Sequence, residues 1–302
     1  MITLPYYPGC TLSTKAQGYD RSGRAVARAL GLELQELDDW QCCGATFPLT
    51  LDDSMALIAP ARVLYQAQQA GERVATLCAV CFHVLRRSQA LLQRDPAMLE
   101  RINWFTEQEY RGVRVVHFLE ILRDEIGWEA LAARCKSASL QVRNPKSKIQ
   151  NLQSVNLQSL RLAPYYGCLL LRPEDEIGLD DPENPTILHD LLRALGAEPV
   201  DFPYSIECCG SYLTVKDPQI SGTLAREVVA SARECGAQAI VTACPLCQFN
   251  LDYPQREVGG DALPVVYFTQ LMAVALGLPQ EDWGFEGHYV DPLPLFDGGS
   301  RE

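Results

Sequence analysis

Short runs of apolar and β-branched residues alternate along this chain with longer stretches in which apolar positions return at helical spacing. In the first half the pattern predicts an extended segment over 3–7 and a helix over 17–30, with Val26 and Leu30 on one face. A strand over 32–37, a helix over 52–70, a strand over 73–77, a further helical region and a strand over 113–118 complete that half. The second half repeats the rhythm: strand 160–166, helix 186–195, strand 198–202, helix 217–235, strand 239–243, strand 265–268 and a last helix to Leu276. Strands that alternate with helices predict an α/β fold with parallel sheets covered on both faces.

Length changes this picture little: 302 residues suit two domains. We expect a first domain over 1–126, a linker over 127–159 and a second domain over 160–302. The linker is rich in Ser, Gln, Asn and Lys and doubles Asn-Leu-Gln-Ser at 151–154 and 156–159. A formal charge of -12 argues against nucleic acid, whose phosphates need a basic footprint. No apolar run approaches the ~20 residues of a membrane helix. The N-terminus lacks the basic-then-apolar pattern of a secretory leader, so the expected compartment is the cytoplasm, or the membrane periphery through a complex. In reducing surroundings cysteines bind metal or do redox work more often than they bridge.

The twelve cysteines carry the chemistry. Cys42-Cys43-Gly44 is followed 35 positions on by Cys78-Ala-Val-Cys81, and Cys208-Cys209-Gly210 by Cys244-Pro-Leu-Cys247 at the same interval. Four cysteines thus recur at an offset of 166, and Cys10 pairs with Cys168 at 158, the difference being an acidic, proline-bearing insertion after Cys168. Flanking residues repeat too: Tyr6-Tyr7-Pro8-Gly9 with Tyr165-Tyr166-Gly167, and Val115-Val116-His117-Phe118 with Val265-Val266-Tyr267-Phe268. A duplication accounts for this. All ten cysteines are expected at or just past the carboxyl ends of strands, where ligands gather in open α/β sheets.

Several chemistries compete for five thiols per half. Zinc in one or both halves would use four thiolates and leave one over. A disulfide framework is disfavoured, since adjacent cysteines bridge only with strain. Either Cys-x-x-Cys alone could be a redox dithiol. Joined twice to an upstream Cys-Cys-Gly at a fixed distance, it points to a multi-iron site, with one thiol more than a cubane needs.

The arrangement Cys-x31-Cys-Cys-Gly-x33-Cys-x2-Cys, then Cys-x39-Cys-Cys-Gly-x33-Cys-x2-Cys, resembles the cysteine-rich CCG domain family as found in heterodisulfide reductase B-type subunits. Tyr6-Tyr7-Pro8-Gly9-Cys10, the segment 244–251 and the segment 290–295 share in the resemblance, which spans nearly the whole chain. It implies two duplicated parallel-sheet, Rossmann-like CCG domains, each with a noncubane [4Fe-4S] cluster. The implied ligands are Cys10, Cys42, Cys43, Cys78 and Cys81 for one cluster, and Cys168, Cys208, Cys209, Cys244 and Cys247 for the other. The resemblance further implies an oxidoreductase subunit, active within a complex, that reduces or oxidises a disulfide or sulfur substrate held between the clusters. Its alternative is an electron-transfer subunit of a succinate:quinone oxidoreductase without transmembrane helices.

The chain has no dinucleotide fingerprint, no P-loop and no ferredoxin cysteine run. Electrons are therefore expected from a partner iron–sulfur subunit, itself supplied by a flavoprotein subunit.

Other residues read more plainly. Cys135 and Cys235 lie outside the repeat and are expected to be unligated. Arg86 and Arg87, just past Cys81, could meet an anionic substrate but suit an exposed helix face better. His83 suits a supporting role, His117 a packing position, and His189 and His288 have no evident partner. Gly44 and Gly210 let the backbone turn close to a cluster, and Tyr6, Tyr7, Tyr165 and Tyr166 suit the core or a shield. Phe268, Leu271, Met272, Ala275 and Leu276 form a stripe that burial explains better than membrane contact.

Overall fold

The computed structural model describes residues 1–47, 54–142 and 157–296. The first half runs β1 (Ile2–Tyr6), α1 (Gly9–Leu12), α2 (Gln17–Ala29), β2 (Leu32–Glu36), α3 (Ile58–Ala70), β3 (Arg73–Thr76), α4 (Ala79–Arg94), α5 (Pro96–Thr106), β4 (Arg114–His117) and α6 (Phe118–Ile121). After α7 (Trp128–Val142) the second half runs β5 (Arg161–Tyr165), α8 (Glu174–Ile177), α9 (Ile187–Leu195), β6 (Glu198–Pro199), α10 (Pro218–Glu234), β7 (Ala239–Thr242), α11 (Pro245–Asp252), β8 (Val265–Tyr267) and α12 (Phe268–Ala275).

Two four-stranded, wholly parallel sheets result, ordered β2-β1-β3-β4 and β6-β5-β7-β8. The identical order is the duplication seen as architecture. The central strands read as unbroken apolar runs because helices cover both faces: every residue of Ala239–Thr242 is buried. Strand β6 is shorter than its predicted span of 198–202. It pairs at the sheet edge, where Pro199 has no N–H to offer the ladder.

The segment 127–159 differs from a plain linker. Its first part forms α7, which buries Leu131 and Cys135 and packs on α9 and α12 of the second half. The doubled motif falls outside the described residues except at its end. Helix α12 is buried on every side, since it packs on α2 of the first half as well as on its own domain. The stripe 268–276 is therefore core, and the membrane contact considered for it is ruled out. Tyr267, just before α12, stacks on Tyr19 from α2 at 4.0 Å between ring centroids and an interplanar angle of 2°. An offset-stacked pair of buried aromatic rings contributes about 1 kcal/mol beyond area alone.

Candidate iron–sulfur sites

Each half delivers its cysteines by the same three devices. Gly9 and Gly167 turn the chain at the end of the first strand in left-handed conformation, φ +75° and +63°, and place Cys10 and Cys168 directly after. Beyond the edge strand, Gly44 and Gly210 adopt φ +88° and +78° and fold their N–H groups back onto Cys42 Sγ (3.4 Å) and Cys208 Sγ (3.3 Å). Past the third strand, Cys78 and Cys244 occupy the N-cap positions of α4 and α11, with Cys81 and Cys247 in the first turn. There the helix dipole and free N–H groups favour thiolate.

The sulfurs approach in pairs. Cys10 and Cys42 lie 3.6 Å apart and Cys43 and Cys81 3.9 Å; in the second half Cys168 and Cys208 lie 3.8 Å apart and Cys209 and Cys247 3.5 Å. All are free thiols. In each half Cys43, Cys78 and Cys81, or Cys209, Cys244 and Cys247, form a buried floor. Cys10 and Cys42, or Cys168 and Cys208, form a rim with more solvent contact.

Hydrogen bonds from neighbouring sulfurs lower the Cys43, Cys208 and Cys209 thiols, and the same contacts raise Cys81, Cys168 and Cys247. Protons are thus shared within a crowded set of soft donors. Among the described residues no three His, Cys, Asp or Glu side chains are grouped to hold a single metal ion. An all-sulfur set suits an iron–sulfur cluster in chemistry, with one thiol per half beyond the four that a cubane uses.

Supporting residues repeat as well. Tyr7 donates its hydroxyl to the Gln41 carbonyl (2.8 Å) and Tyr165 to the Glu207 carbonyl (2.6 Å), each the residue before a Cys-Cys pair. The Thr76 and Thr242 hydroxyls each accept the N–H of the following helix-capping cysteine at 3.3 Å. Tyr7 therefore corresponds to Tyr165, and Pro8 to Tyr166. Aligning the Tyr-Tyr pairs slips the register by one, whereas counting back from the cysteine gives it correctly. Gly9, Gly167, Thr76 and Thr242 were legible in the same way, since each keeps its distance to a cysteine. Tyr19 was not: it has no mirror residue, yet its hydroxyl reaches the carbonyls of both Leu77 (2.6 Å) and Ala243 (3.3 Å), which precede Cys78 and Cys244. The Ala79 N–H also donates to Ala243, so the two cysteine loops meet directly.

The remaining candidates fall elsewhere. Arg86 donates to the Val115 carbonyl and lies over the Phe82 ring, while Arg87 pairs with the buried Glu176 and stacks on Phe47. Neither guanidinium is free for a substrate. Tyr6 donates to Asp20, and Tyr166 to the Pro185 carbonyl. His189, expected to lack a partner, lies between Tyr166 and Asp201. His288 likewise gains Gln248 and Gln270, with the buried Asp252 4.0 Å away. Cys235 caps the end of α10, away from both sites.

Three histidines are buried and neutral. Burial, and for His83 the Arg87 charge, lowers His83 to about 4; burial alone lowers His117 to about 3 and His288 to about 4. Such a group binds its proton more readily unfolded, so its stabilisation is full above about pH 6.5 and drains away as pH falls through the folded value. Asp252, raised to about 6 by burial, acts oppositely and offsets part of the loss. We expect the melting temperature to fall between pH 6.5 and 4. His83→Gln should reduce that pH-dependent loss by about 3 kcal/mol. Denaturant titrations of both proteins at pH 7, 5.5 and 4.5 check this, and parallel pH profiles would contradict it.

Known proteins place this chain. The cysteine-rich CCG domain family matches residues 4–86 and again 162–252. The 8-methylmenaquinol:fumarate reductase membrane anchor subunit of Wolinella succinogenes is 31% identical over 96% of this chain and 98% of its own. The B-type subunit of a ferredoxin/F(420)H(2)-dependent CoB-CoM heterodisulfide reductase from Methanosarcina acetivorans is 27% identical over 97% and 95%, and a heterodisulfide reductase B-like protein of Archaeoglobus profundus 26% over 93% of each. A hypothetical protein of Helicobacter pylori shares the fold with a TM-score of 0.69 at 12% identity, over 95% of this chain and 51% of that one. With two family matches that each span a complete five-cysteine set, and relatives aligned from end to end, the chain belongs to the CCG cysteine-rich domain family.

Proposed function

We propose that this chain is the electron-transfer subunit of a multi-subunit oxidoreductase and carries one [4Fe-4S] cluster in each of two domains, 1–126 and 160–302. The observation that carries the proposal is the repeated all-sulfur donor set at the carboxyl ends of two sheets with the same strand order. Cys10, Cys42, Cys43, Cys78 and Cys81 hold one cluster, and Cys168, Cys208, Cys209, Cys244 and Cys247 the other. A fifth thiolate suits the noncubane form. When bound, such clusters accept and pass on single electrons. The protein's own residues bury the floor sulfurs, leave the rim open, and fix the two cysteine loops against each other through Tyr19 and Ala79. Two sites at one seam suit a two-electron acceptor fed by single-electron steps.

The redox partner we favour is the quinone/quinol couple, which as quinone accepts electrons and as quinol supplies them. The supporting observation is the 31% identity with a subunit of a methylmenaquinol-linked reductase, against 26–27% for the heterodisulfide reductase subunits. Disulfide reduction is the second reading, supported by the number of those relatives. Among the described residues no helix is long and apolar enough to cross a membrane. Electrons come from a partner iron–sulfur subunit and a flavoprotein subunit. Anaerobically reduced chain mixed with a water-soluble naphthoquinone or a small dithiol-derived disulfide distinguishes the readings. Rapid reoxidation by the quinone with little by the disulfide is expected; the reverse order would overturn the acceptor assignment.

A further inference from the structure

The loop after the second Cys-Cys pair places Tyr212 where nothing in the duplication requires a phenol, since the offset of 166 puts Thr46 at the mirror position. Tyr212 is 46% exposed, yet its hydroxyl donates across the seam to the Ala45 carbonyl at 2.6 Å. Ala45 directly follows Cys42-Cys43-Gly44 and holds φ +60°, a left-handed conformation that a non-glycine residue keeps only where its surroundings enforce it. The same phenol lines a cavity of about 10 Å³ with Ala79, Leu169, Cys168, Cys208 and Cys244. That volume holds at most a single water. Burial and the sulfurs of Cys244, Cys168, Cys43 and Cys78 raise the Tyr212 phenol, so thiols of both halves lie near it.

We propose that Tyr212 closes the seam between the two cysteine sites and, on opening, donates its hydrogen bond to the carbonyl oxygen of a quinone ring that enters there. Its closed-state partner is already a carbonyl, so a quinone oxygen replaces the Ala45 oxygen like for like. A disulfide sulfur is a weak acceptor and gains little from the same phenol. Tyr212 is thus a positioning residue that selects a carbonyl acceptor over a sulfur one. This inference rests on the electron-transfer reading above for its acceptor, but the closure of the seam does not.

Tyr212→Phe keeps the ring and removes only the hydroxyl. In the reduced, metal-free full chain, N-ethylmaleimide should label Cys209 and Cys244, the buried thiols that line the same cavity, about fivefold faster in the variant, as befits the loss of one neutral hydrogen bond. Peptide mass spectrometry reads this. In the loaded chain the KM for a water-soluble naphthoquinone should rise by a similar factor with kcat kept, and turnover with a small disulfide should stay at the wild-type value. Labelling at the wild-type rate would overturn the closure. An equal KM change for quinone and disulfide would overturn the selection. A chain that takes up iron but exchanges electrons with neither acceptor would overturn the functional reading and the acceptor role together, while the labelling result would still decide the closure.

Discussion

Replacing Cys81 by Ser is expected to remove the iron of the first half and leave that of the second, and Cys247→Ser to do the converse. Both thiols are buried in the first turn of a helix, and both contact a sulfur of the adjacent pair, Cys43 at 3.9 Å and Cys209 at 3.5 Å. A serine hydroxyl is a shorter, harder donor and a poor substitute for thiolate toward iron. Each set of five cysteines comes from one half of the chain, on its own sheet, so each loss should stay local. Iron per chain should fall to about half in each single variant and to about zero in the double one. Melting temperatures measured without metal separate cluster loss from misfolding. A single variant that retains full iron would show that the residue is not a ligand, and one that loses all iron would show that the halves do not load independently.

Gly9→Ala is expected to act almost as strongly without removing a thiol. A Cβ at Gly9 would sit 2.5 Å from Cys81 Sγ, on a backbone at φ +75°. The left-handed conformation costs about 1–2 kcal/mol for alanine, and overpacking in a buried site about 1–3 kcal/mol more. The Cys81 side chain cannot retreat, because it is buried among Cys43 and Tyr7. Two other glycines grade the effect. At Gly167 the Cβ would meet Cys247 Sγ at 3.3 Å, a milder contact; at Gly31, φ +85°, it would meet nothing within 4 Å. Iron uptake in the first half should therefore be lost in Gly9→Ala, impaired in the second half in Gly167→Ala, and unchanged in Gly31→Ala, which suffers only backbone strain. Wild-type iron content and melting temperature for Gly9→Ala would contradict the packing account.

The duplication, the alternation of strands and helices and the placing of cysteines past strand ends were legible because they depend on local pattern and on counted intervals. Glycine before the first cysteine and threonine before the capping one follow the same counts. What the pattern concealed is long-range contact, between the halves and within them. His83 meets the Leu169 carbonyl, and His288 finds glutamines at 248 and 270; no local signal pairs residues so distant. Helix α7 lay within a polar segment and shows itself only through Leu131 and Cys135, four residues apart and both buried. Arg87 read as part of an exposed helix face rather than as a substrate contact, but it is largely covered by Glu176, in the insertion peculiar to the second copy.

The central claim is that each half holds an iron–sulfur cluster on its five cysteines. Iron, zinc and acid-labile sulfide determined on anaerobically purified chain test it most directly. Two [4Fe-4S] clusters predict about eight iron and about eight sulfide per chain; about two zinc with no sulfide would contradict it.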